Sequence, residues 1–200
     1  MTRPSRTSAS RLLAIAVTFA LFGCDNSAPA EGASAPAAAP ASGGTTEAPK
    51  AFVHAVENDV SGYYLPVSPV AIGSLRLDHI FLGQTFEFEA WEKGETSQTF
   101  APVMLQFDDV SSPKVPTELG EAHSVSVRVL PKTYSVMESA IRFAGMSEEL
   151  GDVSLDVRLD QEALATARRN LGDEGAVLTG TLIAGGQTFN NVRFRWYGGD

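Results

Sequence analysis

The pattern of apolar and polar residues predicts a mainly β protein: an antiparallel β-sandwich of about eight or nine short strands with one short helix at about 161–171, a small β-barrel being the alternative. Three observations carry this expectation. Val153 to Asp160 alternates strictly, with aliphatic residues at every odd position and polar ones at every even position, the period-2 signature of a half-buried strand. Similar alternation returns near residues 60, 77, 88, 105, 127, 142, 180 and 193. Only one segment has helical spacing.

Taken along the chain, Leu75, Leu77, His79 and Phe81 fall on one face of a strand that Gly83 ends. Phe86 and Phe88 then open another alternating segment, with Glu87 and Glu89 on its opposite face. Val125, Val127 and Val129 point inward and Ser124, Ser126 and Arg128 outward, until Pro131 ends the ladder. The helix begins at Gln161, where Asp160 can cap it. Arg168 and Arg169 suit its negative C-terminal end, Gly172 supplies a stop, and Leu164, Ala167 and Leu171 form its apolar stripe.

The C-terminus reads as a hairpin, Val177 to Ile183 and Thr188 to Tyr197 about a Gly185-Gly186 turn. Val192, Phe194 and Trp196 share a face there, and Arg193 and Arg195 share the other. Phe189 is out of phase with the first set, so an extra residue, a β-bulge, is expected at Asn190-Asn191.

The chain begins differently. Residues 1 to 11 are polar and carry Arg3, Arg6 and Arg11, and Leu12 to Phe22 is an apolar run interrupted by Thr18 alone. Eleven residues are too few to span a bilayer as a helix, which takes about 20. A basic head followed by a short apolar core is the pattern of a secretory signal peptide.

Leu21-Phe22-Gly23-Cys24 contains the chain's single cysteine. It resembles the lipobox of bacterial lipoproteins, with Leu three places before the cysteine and a small residue just ahead of it. The resemblance covers residues 1–24 and implies removal of residues 1–23. It further implies a diacylglycerol thioether on Cys24 and acylation, with palmitate or a similar chain, of the new amino group. Two or more chains anchor a protein stably where one holds it only marginally. Asp25 resembles the inner-membrane retention signal of enteric lipoproteins, a rule that varies among bacteria, so inner and outer membranes both stay open. The location implied is the cell envelope, with the body in the periplasm.

From Asn26 to Lys50 the residues are almost entirely Ala, Pro, Ser, Gly and Thr, without an aromatic or large aliphatic side chain. Nothing there can bury enough apolar surface to offset the entropy of ordering. A flexible coil of this length spans roughly 25 to 30 Å. The organisation expected is therefore a signal peptide (1–23), a lipidated cysteine with a disordered linker (24–50) and one β-rich domain (51–200).

Cleavage before Cys24 leaves 12 basic against 24 acidic side chains, turning a formal charge of −9 into −12. Such a surface repels phosphate backbones, which disfavours nucleic acid, and suits a basic protein partner. His54, His79 and His123 form no ligand-spaced pair, so no metal or other cofactor beyond the lipid is expected. The chain has no phosphate loop, GxSxG elbow or calcium loop, and so no catalytic residue is nominated.

The residues left for recognition are Tyr63 and Tyr64, Trp91 with Glu87 and Glu89, and the arginines Arg193 and Arg195. The function expected is a non-catalytic protein-binding module, an envelope accessory subunit or an inhibitor of the immunity-protein kind. The alternative is a small-ligand or metal carrier with a cavity involving Tyr64, His79 or Trp91.

Overall fold

The computed structural model of the chain describes residues 51–118 and 120–199. Strands account for 54% and helices for 11% of them, so the protein is mainly β, with its principal sheet curled into a half-barrel. The segments read as signal peptide and linker, with Cys24 and Asp25, lie outside the described residues.

In chain order, β1 (Phe52–Ala55), β2 (Gly62–Pro66), β3 (Ala71–Ile72) and β4 (Leu75–Leu82) precede helix α1 (Thr85–Glu92). Then come β5 (Val103–Asp109), β6 (Lys114–Thr117), β7 (Gly120–His123), β8 (Ser126–Val129), β9 (Pro131–Met137), β10 (Ala140–Ser147) and β11 (Gly151–Leu159). Helix α2 (Gln161–Arg169), β12 (Leu178–Ala184) and β13 (Gln187–Tyr197) complete the fold. Ten strands follow the order β1-β9-β10-β11-β12-β13-β2-β4-β5-β8, β3 adds to the flank of β4, and β6 and β7 form a separate two-stranded hairpin. All pairs are antiparallel except β1 with β9, which run parallel. The described residues thus form more strands than expected, and not all of them are antiparallel.

The core lies on the inner face of the curl, where Tyr64, Phe88, Phe107 and Phe194 are the largest fully buried side chains. β11 follows its alternation, with Val153, Leu155, Val157 and Leu159 all buried. The hairpin β12–β13 turns at Gly185 and Gly186, both at positive φ (59° and 70°), as a tight two-residue connection requires. The expected bulge is present. Gly180 pairs with Val192 and Leu182 with Phe189, leaving Asn190 and Asn191 opposite Thr181 alone. Asn191 takes φ 55°, and the bulge returns Val192, Phe194 and Trp196 to the buried face.

Four expectations are corrected. The segment around Phe86 and Phe88 is α1, not a strand. Phe88 and Trp91, three residues apart, share its buried side, while Phe86 stays exposed. The Glu87 carboxylate accepts from the Gln84 N–H at 2.7 Å, closing the first turn from within. In β4, Asp78 is an extra residue: Leu77 pairs with Phe107 and His79 with Gln106, so the phase shifts between them. Ile80 and Leu82 therefore join Leu77 in the core, and His79 and Phe81 go to the other face.

Val125 is exposed because it precedes β8, and Pro131 opens β9, where an absent N–H costs little. α2 is capped by Asp160, whose carboxylate accepts from the Glu162 and Ala163 N–H groups, and it buries Leu164 and Ala167. Leu171, however, lies past its end and is 82% exposed.

Candidate functional site

The principal sheet splits on one side. β2 pairs with β4 only from Gly62 to Tyr64, then continues against β13 alone, while β3 takes over the flank of β4 at Leu75 and Arg76. Prolines explain the parting: Pro66 and Pro69 have no N–H to donate to a neighbouring strand. The bulge at Asp78 re-aims that carboxylate in the same place. Beside the split, the long excursion from β5 to β8 folds into the β6–β7 hairpin.

Between these parts lies an open cleft of about 760 Å³. Arg76, Asp78, Gln106 and Asp108 come from β4 and β5, Lys114, Glu121 and His123 from the hairpin, and Arg195 from β13.

Its charges are unevenly satisfied. The Asp78 carboxylate faces His79 Nδ1 at 2.7 Å, and His123 Nδ1 lies 3.2 Å from the Ser112 carbonyl, to which it donates. Arg128 Nε donates to Gln106 Oε1 (3.2 Å), and Gln106 Nε2 donates to the Asp108 carboxylate (3.4 Å). Burial, reinforced by the charge of Asp78, pushes the Asp108 carboxyl above its ordinary value, against the Gln106 hydrogen bond and the two histidines. Lys114 and Glu121 face each other at 4.0 Å on the surface, a contact worth little.

Arg76 and Arg195 are in no ion pair with another described residue. Arg76 stands opposite Asp108 in register without engaging it.

The rim is apolar. Val67 and Val110, 43% and 44% exposed, line the cleft; Val115 on β6 and Val125 before β8, next in sequence to the lining residues Lys114 and Ser126, are exposed as well. Two of the exposed large hydrophobics among the described residues thus line one cleft, whereas single exposed aliphatics elsewhere need no explanation.

Of the residues nominated from the sequence, only Arg195 lines this cleft. Arg193 projects from the same face of β13, two residues earlier. Tyr63 is half-buried in an outer-face aromatic group with His79, Phe81 and Tyr197, at centroid distances of 5.0, 5.4 and 6.4 Å. Tyr64 and Trp91 belong to the core. The Tyr64 hydroxyl donates to the Val60 carbonyl at 2.7 Å. Glu87 caps α1 and Glu89 faces Lys93 on the surface, so neither converges with Trp91. Sequence reading missed Arg76, Gln106, Asp108 and the hairpin; the Pro66 and Pro69 pair was the available signal that β2 leaves its neighbour.

His54 lies elsewhere, stacked on Phe88 with ring centroids 4.0 Å apart. Burial disfavours its protonated form and lowers its pKa despite the nearby Glu92 and Glu89. The unfolded chain therefore takes up this proton at higher pH than the fold. Stability from this group is complete above the ordinary value of 6.5 and declines as the pH falls from there toward the lowered folded value. Urea midpoints are expected to fall between about pH 7.5 and about pH 5.5, with a smaller fall in His54→Phe. An equal fall in both proteins would assign the dependence to other groups.

Among the described residues, no group of three His, Cys, Asp or Glu side chains is placed to hold a metal ion. Comparison of the chain with protein-family models, with curated proteins and with solved structures finds no match.

Proposed function

We propose that the chain is a lipid-anchored protein of the bacterial periplasm, held to the inner or outer membrane through Cys24, and that its β domain is a non-catalytic protein-binding module. It serves as an accessory subunit or inhibitor in the envelope. The observation that carries the binding reading is the cleft beside the β6–β7 hairpin, where the exposed Val67 and Val110 line the same space as two arginines that have no ion partner among the described residues. Exposed apolar side chains beside charged ones are the composition of a docking surface.

The net charge favours a partner that is basic overall, drawn by the long-range field. The body is read as a strongly bent sandwich, because β1 and β8, the ends of the main strand path, do not pair with each other. The volume of the cleft also suits a small ligand, which is the second reading.

Two measurements test the proposal. Cys24→Ala is expected to move the protein from the detergent phase to the aqueous phase in a cloud-point separation; an unchanged distribution would remove the anchor. Photo-crosslinkers at Val115 and Val125 are expected to capture one discrete protein in the producing cell, and one at Leu171 is not. Adducts that do not depend on position would count against docking at the cleft, and competition by a small molecule would favour the second reading.

A further inference from the structure

Resting on the proposed docking at the cleft, the occupant's chemistry can be narrowed. We propose that the cleft receives an extended segment of a partner protein, with a carboxylate side chain of that segment held by Arg76 and Arg195 and its aliphatic neighbours on the valine rim.

The charge comes first. The chain carries 24 acidic side chains, yet none of those described reaches either arginine within ion-pair distance. Lys114 has Glu121 4.0 Å away, whereas neither guanidinium has a carboxylate within ion-pair distance among the described residues. Their planar forks match a carboxylate and hold it by charge-assisted hydrogen bonds. A polyanion would meet the field of the whole acidic body, whereas a single carboxylate on a basic partner meets mainly the local pair.

The backbone supplies the second line. On the β2 side, Pro66 and Pro69 have no N–H, and the Val67 N–H already donates to the Arg193 carbonyl at 2.8 Å. On the other side, β6 and β7 pair only with each other, each leaving one edge without a partner strand among the described residues. A two-stranded hairpin is marginal alone and gains from a third strand, and strand addition is a common way to bind a peptide. Alternation along an added strand sends one set of side chains toward the cleft and the other away. A carboxylate with β-branched residues two places either side is the pattern that fits.

The test pans the full chain, held in detergent micelles, against a displayed library of random short peptides. The expected winners carry Asp or Glu between Val, Ile or Thr residues. A fluorescent version of a winner should bind about tenfold more tightly than its Asn or Gln counterpart, and the doubly substituted protein Arg76→Gln/Arg195→Gln should lose that difference. Arg76 is exposed and Arg195 half-buried, and an unchanged near-ultraviolet circular dichroism spectrum checks that the variant folds.

Winners without acidic residues, or an acidic preference that persists in the double variant, would overturn the carboxylate assignment. Acetate or inorganic phosphate competing as well as the peptide would mark a small-anion site and overturn it too. If non-acidic winners bind and lose binding in Val67→Ser/Val115→Ser, docking at the cleft stands and only the carboxylate falls. No enrichment at all overturns the extended-peptide assignment, while the crosslinking contrast still decides docking by itself.

Discussion

Trp196→Ala is expected to lower unfolding stability by about 4 kcal/mol, the range found for deleting a buried aromatic ring. Trp196 sits near the end of β13, only 9% exposed, with its Nε1 donating to the Ser61 carbonyl at 3.0 Å. Gly62 permits that approach: it takes φ 135°, and a Cβ there would stand 2.4 Å from Trp196 Nε1. The Arg168 guanidinium of α2 lies 5.2 Å from the ring centroid and also bonds the Asp59 carboxylate and carbonyl. One ring therefore joins α2, β13 and the loop that launches β2.

Its removal opens a cavity, strands the Ser61 acceptor and takes the support from under Arg168. Trp196→Phe keeps most of the packing and loses the N–H, so it is expected to cost about 1 to 2 kcal/mol. Urea titration of both variants checks this, and a loss below about 1 kcal/mol for the alanine would show that the cluster is not a clasp.

Asp59 in the same cluster has a lowered pKa. Burial works against its charge, but the hydrogen bonds from Ser61 and the Arg168 guanidinium outweigh it. Its contribution is thus present above the ordinary value of 3.8 and lost as the pH falls through the lowered folded value.

How far the sequence speaks depends on whether a residue's role is decided by its neighbours in the chain. β11, the α2 cap and the β13 bulge were all legible, because period 2, an Asp ahead of a helix and a phase break at Asn190-Asn191 are local signals. α1 was not, because Phe86-Glu87-Phe88-Glu89 alternates over a stretch short enough to mimic a strand, and the Gln84 and Glu87 spacing that closes its first turn is a weak cue. His79 was placed on the wrong face for one reason: the bulge at Asp78 follows from pairing with β5, a strand more than twenty residues away.

The cleft was harder still. Arg195 could be picked out as an outward residue, but Arg76, Gln106 and Asp108 become neighbours only through register across β4 and β5. Tyr64 and Trp91 looked like recognition residues because aromatic character does not reveal which way a side chain faces; register and helix phase turn both inward.

A close approach of β12 to β11 gives the other large expected effect, a loss of about 3 kcal/mol in Gly180→Ala. Gly180 on β12 pairs with Val157 on β11 and with Val192 on β13. A Cβ added there would stand 2.1 Å from the Asp156 carbonyl oxygen and 2.6 Å from Val157 Cα. Both are main-chain atoms, so no side chain can swing away, and the two strands must separate or β12 must bend.

Gly180 also lies beside the register shift at Thr181, where the extra residue of β13 already sharpens the local twist. Slipping β12 by one residue would relieve the contact, but it would turn Leu178, Leu182 and Ala184 out of the core. Strain is therefore the less costly outcome. Hydrogen exchange should show it as faster amide exchange at 156–158 and 179–181, with protection retained at β4 and β5. Because β13 carries Arg195, the same variant should weaken the binding proposed for the cleft without altering any residue that lines it. Stability within about 1 kcal/mol of the parent would mean that the two strands lie further apart there than these distances allow.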